Sequence, residues 1–186
     1  MGQGEPFLNY DAVIGALDII NSKKGLNIGA RKITLSTCGI IKGIQRFSKV
    51  KEQYTLAISL HAARQEVRDR IMPHASSQPL SQLKEALRDY LDETNRRITF
   101  EYTLIKGIND SEADLKALIS FVSGLLCHIN LIQLNSITDS PFQPSSSETV
   151  SIWKRVIEQN GIETTIRLSK GSDISGACGQ LKNSRK

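Results

Sequence analysis

Cysteine is scarce in this chain: three in 186 residues, at positions 38, 127 and 178. An odd number at such wide spacing fits neither a disulfide framework nor a close-spaced metal motif, so no metal ligands are assigned. Long apolar runs are missing too; nothing approaches the roughly 20 residues a membrane-spanning helix needs. The opening residues give no basic flank followed by an apolar block, and the cytoplasm is the expected compartment, with no membrane partner. No repeat of 20–50 residues and no low-complexity tract stands out.

What is present is ordinary for a globular domain: 39% hydrophobic and 23% charged residues. The net charge of +5 suits an anionic partner such as nucleic acid, although many enzymes share it. Arg64, Arg68 and Arg70 lie close together, as do Arg96 and Arg97, and Lys182, Arg185 and Lys186 close the tail. The plain alternative is a solvated surface.

Five short runs read as strands: "KITLST" (32–37), "YTLAISL" (54–60), "ITFEYTLI" (98–105), "INLIQL" (129–134) and "ETTIRL" (163–168). Most are near-continuous apolar runs or rich in β-branched residues, the pattern of strands covered on both sides. Amphipathic helical patterns fill the gaps at 11–24, 79–93 and 111–124, with shorter ones after Gly39 and over 63–72. Ser145 and Glu148 predict a capping box ahead of Val150, Trp153, Val156 and Ile157. Strand alternating with helix implies a parallel sheet with right-handed crossovers. A doubly wound sheet and a barrel both satisfy that order.

Polar residues gather where strands end: Ser36 and Thr37 before "CG", Ser59 before "HA", and Asn135 after "LIQL". Gly4 and Glu5 stand at a comparable junction before the first helix. In parallel α/β folds the loops at the carboxyl ends of the strands share one face, where ligands bind. Each cluster has a structural alternative: helix caps for Ser36 and Ser59, a helix-starting acid for Glu5, a satisfied core histidine for His61. Glu101 is odd. Within "ITFEYTL" it shares a face with Thr99 and Thr103, opposite Phe100, Tyr102 and Leu104. An acid there needs a partner, a polar barrel interior, or an edge strand with one wet face. Cys127 reads as a small core residue and Cys38 as packing or a ligand contact. Cys178, in "GACGQL" with Arg167 and Lys170 nearby in sequence, is either a candidate nucleophile or a spectator thiol.

Taken together, "MGQGEPFLN", "TLSTCG", "AISLHA", "INLIQLN" and "GACGQL" stand in the order of the RlmN/Cfr family. These radical S-adenosylmethionine enzymes methylate adenosine in RNA, and the chain resembles them along essentially its whole length. The proline of "GEP" and the wording of the last motif look more like the RlmN branch, which acts on C2 of adenine in 23S rRNA and some tRNAs. The resemblance implies a partial (β/α)6 TIM-like barrel. It implies that Gly4, Glu5, Ser36, Ser59, Leu60, His61 and Asn135 contact S-adenosylmethionine, and that Cys178 is the cysteine that becomes methylated. In the implied mechanism one S-adenosylmethionine methylates that sulfur. A second is cleaved reductively at a 4Fe-4S cluster, with an external electron donor, and the methyl-derived carbon then adds to the adenine ring. A second cysteine releases the product by forming a disulfide with the first.

The family's C-x-x-x-C-x-x-C cluster motif has no match here, nor does its second cysteine. The expectation is therefore that residues 1–186 are the C-terminal portion of the radical core, with 163–186 as terminal strand and cysteine loop. The first strand–helix unit and the N-terminal accessory domain would lie on a missing segment. Such a piece is expected to be inactive alone and aggregation-prone, through exposed edges and apolar inner surface. Two other readings stay open: a non-catalytic S-adenosylmethionine- or RNA-binding module, and a different α/β enzyme with Cys178 as nucleophile and His61, His74 or His128 as base.

Overall fold

The computed structural model of the chain describes residues 4–135 and 141–167. Five strands, β1 (Thr34–Thr37), β2 (Thr55–Ser59), β3 (Ile98–Leu104), β4 (Cys127–Gln133) and β5 (Glu163–Arg167), form one parallel sheet in the order β1-β2-β3-β4-β5. Each crossover contains helix: α2 (Ile41–Phe47), then α3 (Gln65–Ile71) with α4 (Leu80–Thr94), then α5 (Glu112–Val122), then α6 (Ser147–Gln159). α1 (Tyr10–Asn21) precedes the sheet. Strand order decides between the two parallel architectures. Right-handed crossovers that always step to the next strand in the same direction put every helix on one side, as in a barrel wall. A doubly wound sheet reverses its order and takes helices on both sides.

The register gives each face its character. Leu35, Leu56, Ile58, Ile98, Phe100, Tyr102, Leu104, Ile129 and Leu131 alternate onto one face and are buried. Helical residues join them in a single core: Ile44 and Phe47 from α2, Leu83, Leu87 and Tyr90 from α4, Leu118 and Phe121 from α5, Trp153 and Ile157 from α6. The Phe47 and Tyr90 rings stack with planes 1° apart, and Phe100 meets Phe121 edge-on. The other face carries Ser36, Ala57, Ser59, Thr99, Glu101, Thr103, His128, Asn130, Ile132, Thr165 and Arg167. This corrects two expectations. The strands are not apolar on both sides, and the surface turned away from the helices is mostly polar, with Ala57 and Ile132 among its polar residues. Among the described residues the most exposed large apolar side chains lie elsewhere, at Leu8, Ile19 and Leu26 around α1.

Local chemistry explains the element ends. Ser111 and Asp114 close a reciprocal capping box on α5, satisfying two amides that the first turn leaves without helical partners. Asn95 ends α4 in the left-handed region at φ 47°, where asparagine is tolerated better than most residues. α6 starts one residue later than its predicted cap: Ser146, not Ser145, accepts the Thr149 amide at 3.0 Å. Ser145 is buried and donates instead to Asp110 Oδ2 at 2.7 Å.

Candidate functional site

Glu5 stands against the carboxyl end of β1. This acid caps a 3-10 turn, Pro6–Asn9, accepting the Phe7 amide on Oε1 at 3.1 Å. Its Oε2 accepts the Cys38 amide, just past β1, at 2.7 Å. Two backbone donors thus fix a half-buried carboxylate at the strand edge, 33 residues away in sequence from its second anchor. Phe7 holds the turn in place, packing against Phe47 with ring centroids 5.7 Å apart and against Gly43 of α2. A Cβ at Gly43 would stand 2.3 Å from Phe7 Cγ, so only glycine admits the ring. Gly4, with φ 126°, occupies backbone space that side chains other than glycine's rarely adopt.

Cys38 is held from both ends. While its amide donates to Glu5, its carbonyl accepts from Arg68 Nη2 at 2.5 Å. Burial, with Glu5 alongside, pushes the Cys38 thiol up to about 12, so it stays protonated and non-nucleophilic. Arg68 is fully buried; its Nη1 donates to the Ala75 and Gln78 carbonyls at 3.3 Å each, and its Nε has no hydrogen-bond partner among the described residues. No ion pair reaches it among the described residues. Reading it as part of a solvated basic cluster is therefore wrong: α3 turns Arg68 inward, and three carbonyls replace part of the water it loses.

Ser36 and Ser59 bring their hydroxyls to 3.5 Å across β1 and β2. One step along, Ser59, Glu101, Asn130 and Thr165 are level in the register of β2 to β5. Glu101 is buried; Oε1 accepts from Asn130 Nδ2 at 3.0 Å, whereas Oε2 has no hydrogen-bond donor and faces Arg167 at 3.6 Å. Asn130 Oδ1 in turn meets His128 Nε2 at 3.0 Å, and His128 Nδ1 lies 3.5 Å from Glu163. Of the options for Glu101, the polar face with partners is the one found.

Leu60 and His61 follow β2. The Leu60 side chain lies in the core, leaving only its main chain to the loop. His61 has φ 53°, accepts the Thr103 amide on Nδ1 at 3.1 Å, and is held well below the usual histidine range, at about 4, by burial and then by the Arg68 charge. It is therefore neutral near pH 7 and unsuited to act as a base there. Asn135 sits half-buried two residues beyond β4. Of the expected site residues, Glu5 reaches the end of β1, Ser36 meets Ser59, and Leu60 and His61 bond to β3. Cys178 lies outside the described residues.

Sequence reasoning set Arg68 in a basic cluster, offered His128 only as a possible base, and passed over Asn109 and Asn130. Period-two alternation in "CHINLIQ" sets His128 and Asn130 on the face of Glu101, and was the available signal. The groups suit an ammonium- and hydroxyl-bearing ligand: an anchored carboxylate for the ammonium, two serine hydroxyls, and a buried carboxylate oxygen without a hydrogen-bond donor. It does not suit an iron–sulfur cluster. Cys38 and Cys127 lie at opposite ends of their strands, and among the described residues no three His, Cys, Asp or Glu side chains gather as metal ligands.

Residues 1–119 match the profile of the Radical SAM superfamily. A Clostridium novyi (strain NT) protein named "Probable dual-specificity RNA methyltransferase RlmN" is 52% identical over 182 residues, which are 98% of this chain and 53% of that protein. A protein of the same name from Thermoanaerobacter sp. (strain X514) is 48% identical, with 98% and 53% covered. The chain spans about half the length of these curated relatives. The crystal structure of a radical SAM methyltransferase from Sphaerobacter thermophilus superimposes with a TM-score of 0.93 at 44% identity, covering 97% of this chain and 53% of that one. A domain of pyruvate-formate lyase-activating enzyme from Bacteroides vulgatus, at 19% identity and a TM-score of 0.63, shares the fold.

Proposed function

The chain belongs to the radical SAM superfamily, and from that premise we propose that it is the S-adenosylmethionine-holding, C-terminal portion of an RNA adenine-C2 methyltransferase. The carrying observation is the Glu5 carboxylate, fixed by the Phe7 and Cys38 amides at the edge where Ser36 and Ser59 meet. A carboxylate so anchored accepts from an ammonium without having to be reorganised. Gly4 lets backbone approach the ligand, Ser36 and Ser59 serve its hydroxyls, Leu60 and Asn135 line the edge, and His61 donates through its ring. When bound, S-adenosylmethionine supplies the methyl group and, with an electron from outside, the radical chemistry that an sp² ring carbon requires.

In this reading the transferred carbon travels on the sulfur of Cys178, and residues 163–186 present it. Cluster ligands and the resolving cysteine are assigned to a separate segment of a longer enzyme. This chain alone is then inactive, which is how the reading accommodates a cysteine set unable to bind the cluster. The names of the relatives support RNA as substrate, and 23S rRNA and tRNA in the cytoplasm are the specific proposal.

The test joins the chain to an upstream segment bearing the three cluster cysteines and measures C2-methyladenosine in 23S rRNA and tRNA by mass spectrometry. Methylation is expected from the joined enzyme, none from the 186 residues alone, and none after Cys178→Ala. Normal methylation by the Cys178→Ala enzyme would refute the sulfur-borne route.

A further inference from the structure

A buried asparagine in the loop after β3 ties that loop to His61. Asn109 is fully buried, and both hydrogens of its side-chain amide are used. Nδ2 donates to the His61 carbonyl and to the Thr103 carbonyl, each at 2.7 Å, while Oδ1 accepts the Ile105 amide at 2.7 Å. Its own carbonyl takes the Tyr102 hydroxyl at 3.0 Å. One residue therefore joins the end of β3 to the turn after β2.

That turn has a conformation histidine resists. The Ala62 amide donates back to the Leu60 carbonyl at 2.7 Å around His61 at φ 53°, a γ-turn of the strained, positive-φ kind. Three contacts hold it there. The His61 amide donates to the Glu101 carbonyl at 3.2 Å, its carbonyl accepts from Asn109, and Nδ1 accepts the Thr103 amide. A backbone amide can only donate, so Nδ1 is the bare nitrogen and a neutral ring carries its proton on Nε2. No described residue bonds Nε2.

We propose that Asn109 is a positioning residue that holds His61 as a neutral Nε2–H donor at the carboxyl edge of the sheet, where it meets an acceptor oxygen or nitrogen of the ligand. The ligand's identity rests on the S-adenosylmethionine reading; the tautomer does not. Aspartate at 109 would keep the acceptor for Ile105, lose both donors, and set a negative charge against two carbonyls. The His61 carbonyl and the Thr103 strand end would then lose their common tether.

The experiment reads the tautomer in the full 186-residue chain, with histidine rings labelled with nitrogen-15. Long-range proton–nitrogen correlation near neutral pH, with His61→Asn assigning the signal among the three histidines, should show a bare Nδ1 and a protonated Nε2. A proton on Nδ1, or an even mixture, overturns the proposal. Asn109→Asp should give a mixture at His61 and weaken S-adenosylhomocysteine binding, measured by calorimetry, about tenfold, the loss of one well-placed hydrogen bond. A folded Asn109→Asp protein with wild-type tautomer and affinity would also overturn it. Asn109→Ser makes the same comparison if the aspartate variant does not fold, and if neither folds the wild-type tautomer decides. If the wild type shows the expected tautomer yet binds no S-adenosylhomocysteine, the ligand reading fails while the tie between Asn109 and His61 stands.

Discussion

Acid should destabilise this fold through His61 in a calculable way. Its ring has an ordinary value of 6.5 in the unfolded chain and about 4 in the fold, the first cause being burial and the second the Arg68 charge. The unfolded state therefore binds the proton more readily. The neutral ring's contribution is fully present above pH 6.5, is lost as pH falls towards 4, and changes no further below that. A difference of this size corresponds to a ceiling of roughly 3 kcal/mol, of which less than half is lost at pH 5.5 and most at pH 4.5. Carboxylates also titrate in this range, so the comparison needs a variant that differs only at this ring. His61→Asn removes the titration, tolerates positive φ, and keeps a side-chain oxygen near the position of Nδ1 to accept the Thr103 amide. Urea unfolding of both proteins at pH 7.5, 5.5 and 4.5 gives the difference directly. Wild type should lose stability faster than the variant by the amounts above. Parallel curves, agreeing within about 0.5 kcal/mol at every pH, would refute the claim that a neutral His61 is enforced by the fold.

Gly43→Ala should force Phe7 out of its seat and cost about 1–3 kcal/mol, because the atoms it meets are the root of the ring rather than a flexible tip; calorimetric melting measures the loss, and S-adenosylhomocysteine affinity should fall with it as Glu5 is released. Ser111→Ala removes one half of the α5 capping box and should cost about 1 kcal/mol by urea midpoint. Cys38 and Cys127, with thiols pushed up to about 12 and about 11, should resist iodoacetamide near pH 8 in the folded protein and react once it is unfolded; peptide mass spectrometry distinguishes the two states.

The elements were legible because their periods are local. Each predicted strand and helix is present, with ends differing by a few residues, since alternation and capping are decided within a few positions. Glu101 could be marked as anomalous for the same reason: one charge in a β-branched run needs a special environment wherever the run goes. Its partners could not be named. Asn130 reaches Glu101 through the register of β3 and β4, and Arg167 through β5, and register in a parallel sheet is set by crossovers of a dozen residues or more. Arg68 failed differently. Among neighbouring arginines its sequence context says surface, and only the docking of α3 over the β1 loop buries it. Asn109 sits in a turn-like "GIND" that any exposed loop could carry. The resemblance named Glu5, Ser36, Ser59 and His61 as site residues, but gave no sign of what holds each of them.

What holds them has a common logic, clearest at Cys38. A buried guanidinium without a carboxylate is costly, and an apolar residue in its place would remove that cost while leaving the Cys38, Ala75 and Gln78 carbonyls without donors. A carboxylate partner would also reduce the cost, but would set a negative charge beside the carbonyls that Nη1 and Nη2 hold. As built, Arg68 pulls on the Cys38 carbonyl while Glu5 takes the Cys38 amide, so one residue of main chain is aligned between a cation and an anion. The same cation opposes a proton on His61. Arg68 thus acts on both sides of the sheet edge without being exposed at it, fixing a carboxylate as an acceptor and helping to keep an imidazole neutral. In the proposed ligand reading, this fixes the assignment of charge for an ammonium and an acceptor group of one small molecule before it arrives.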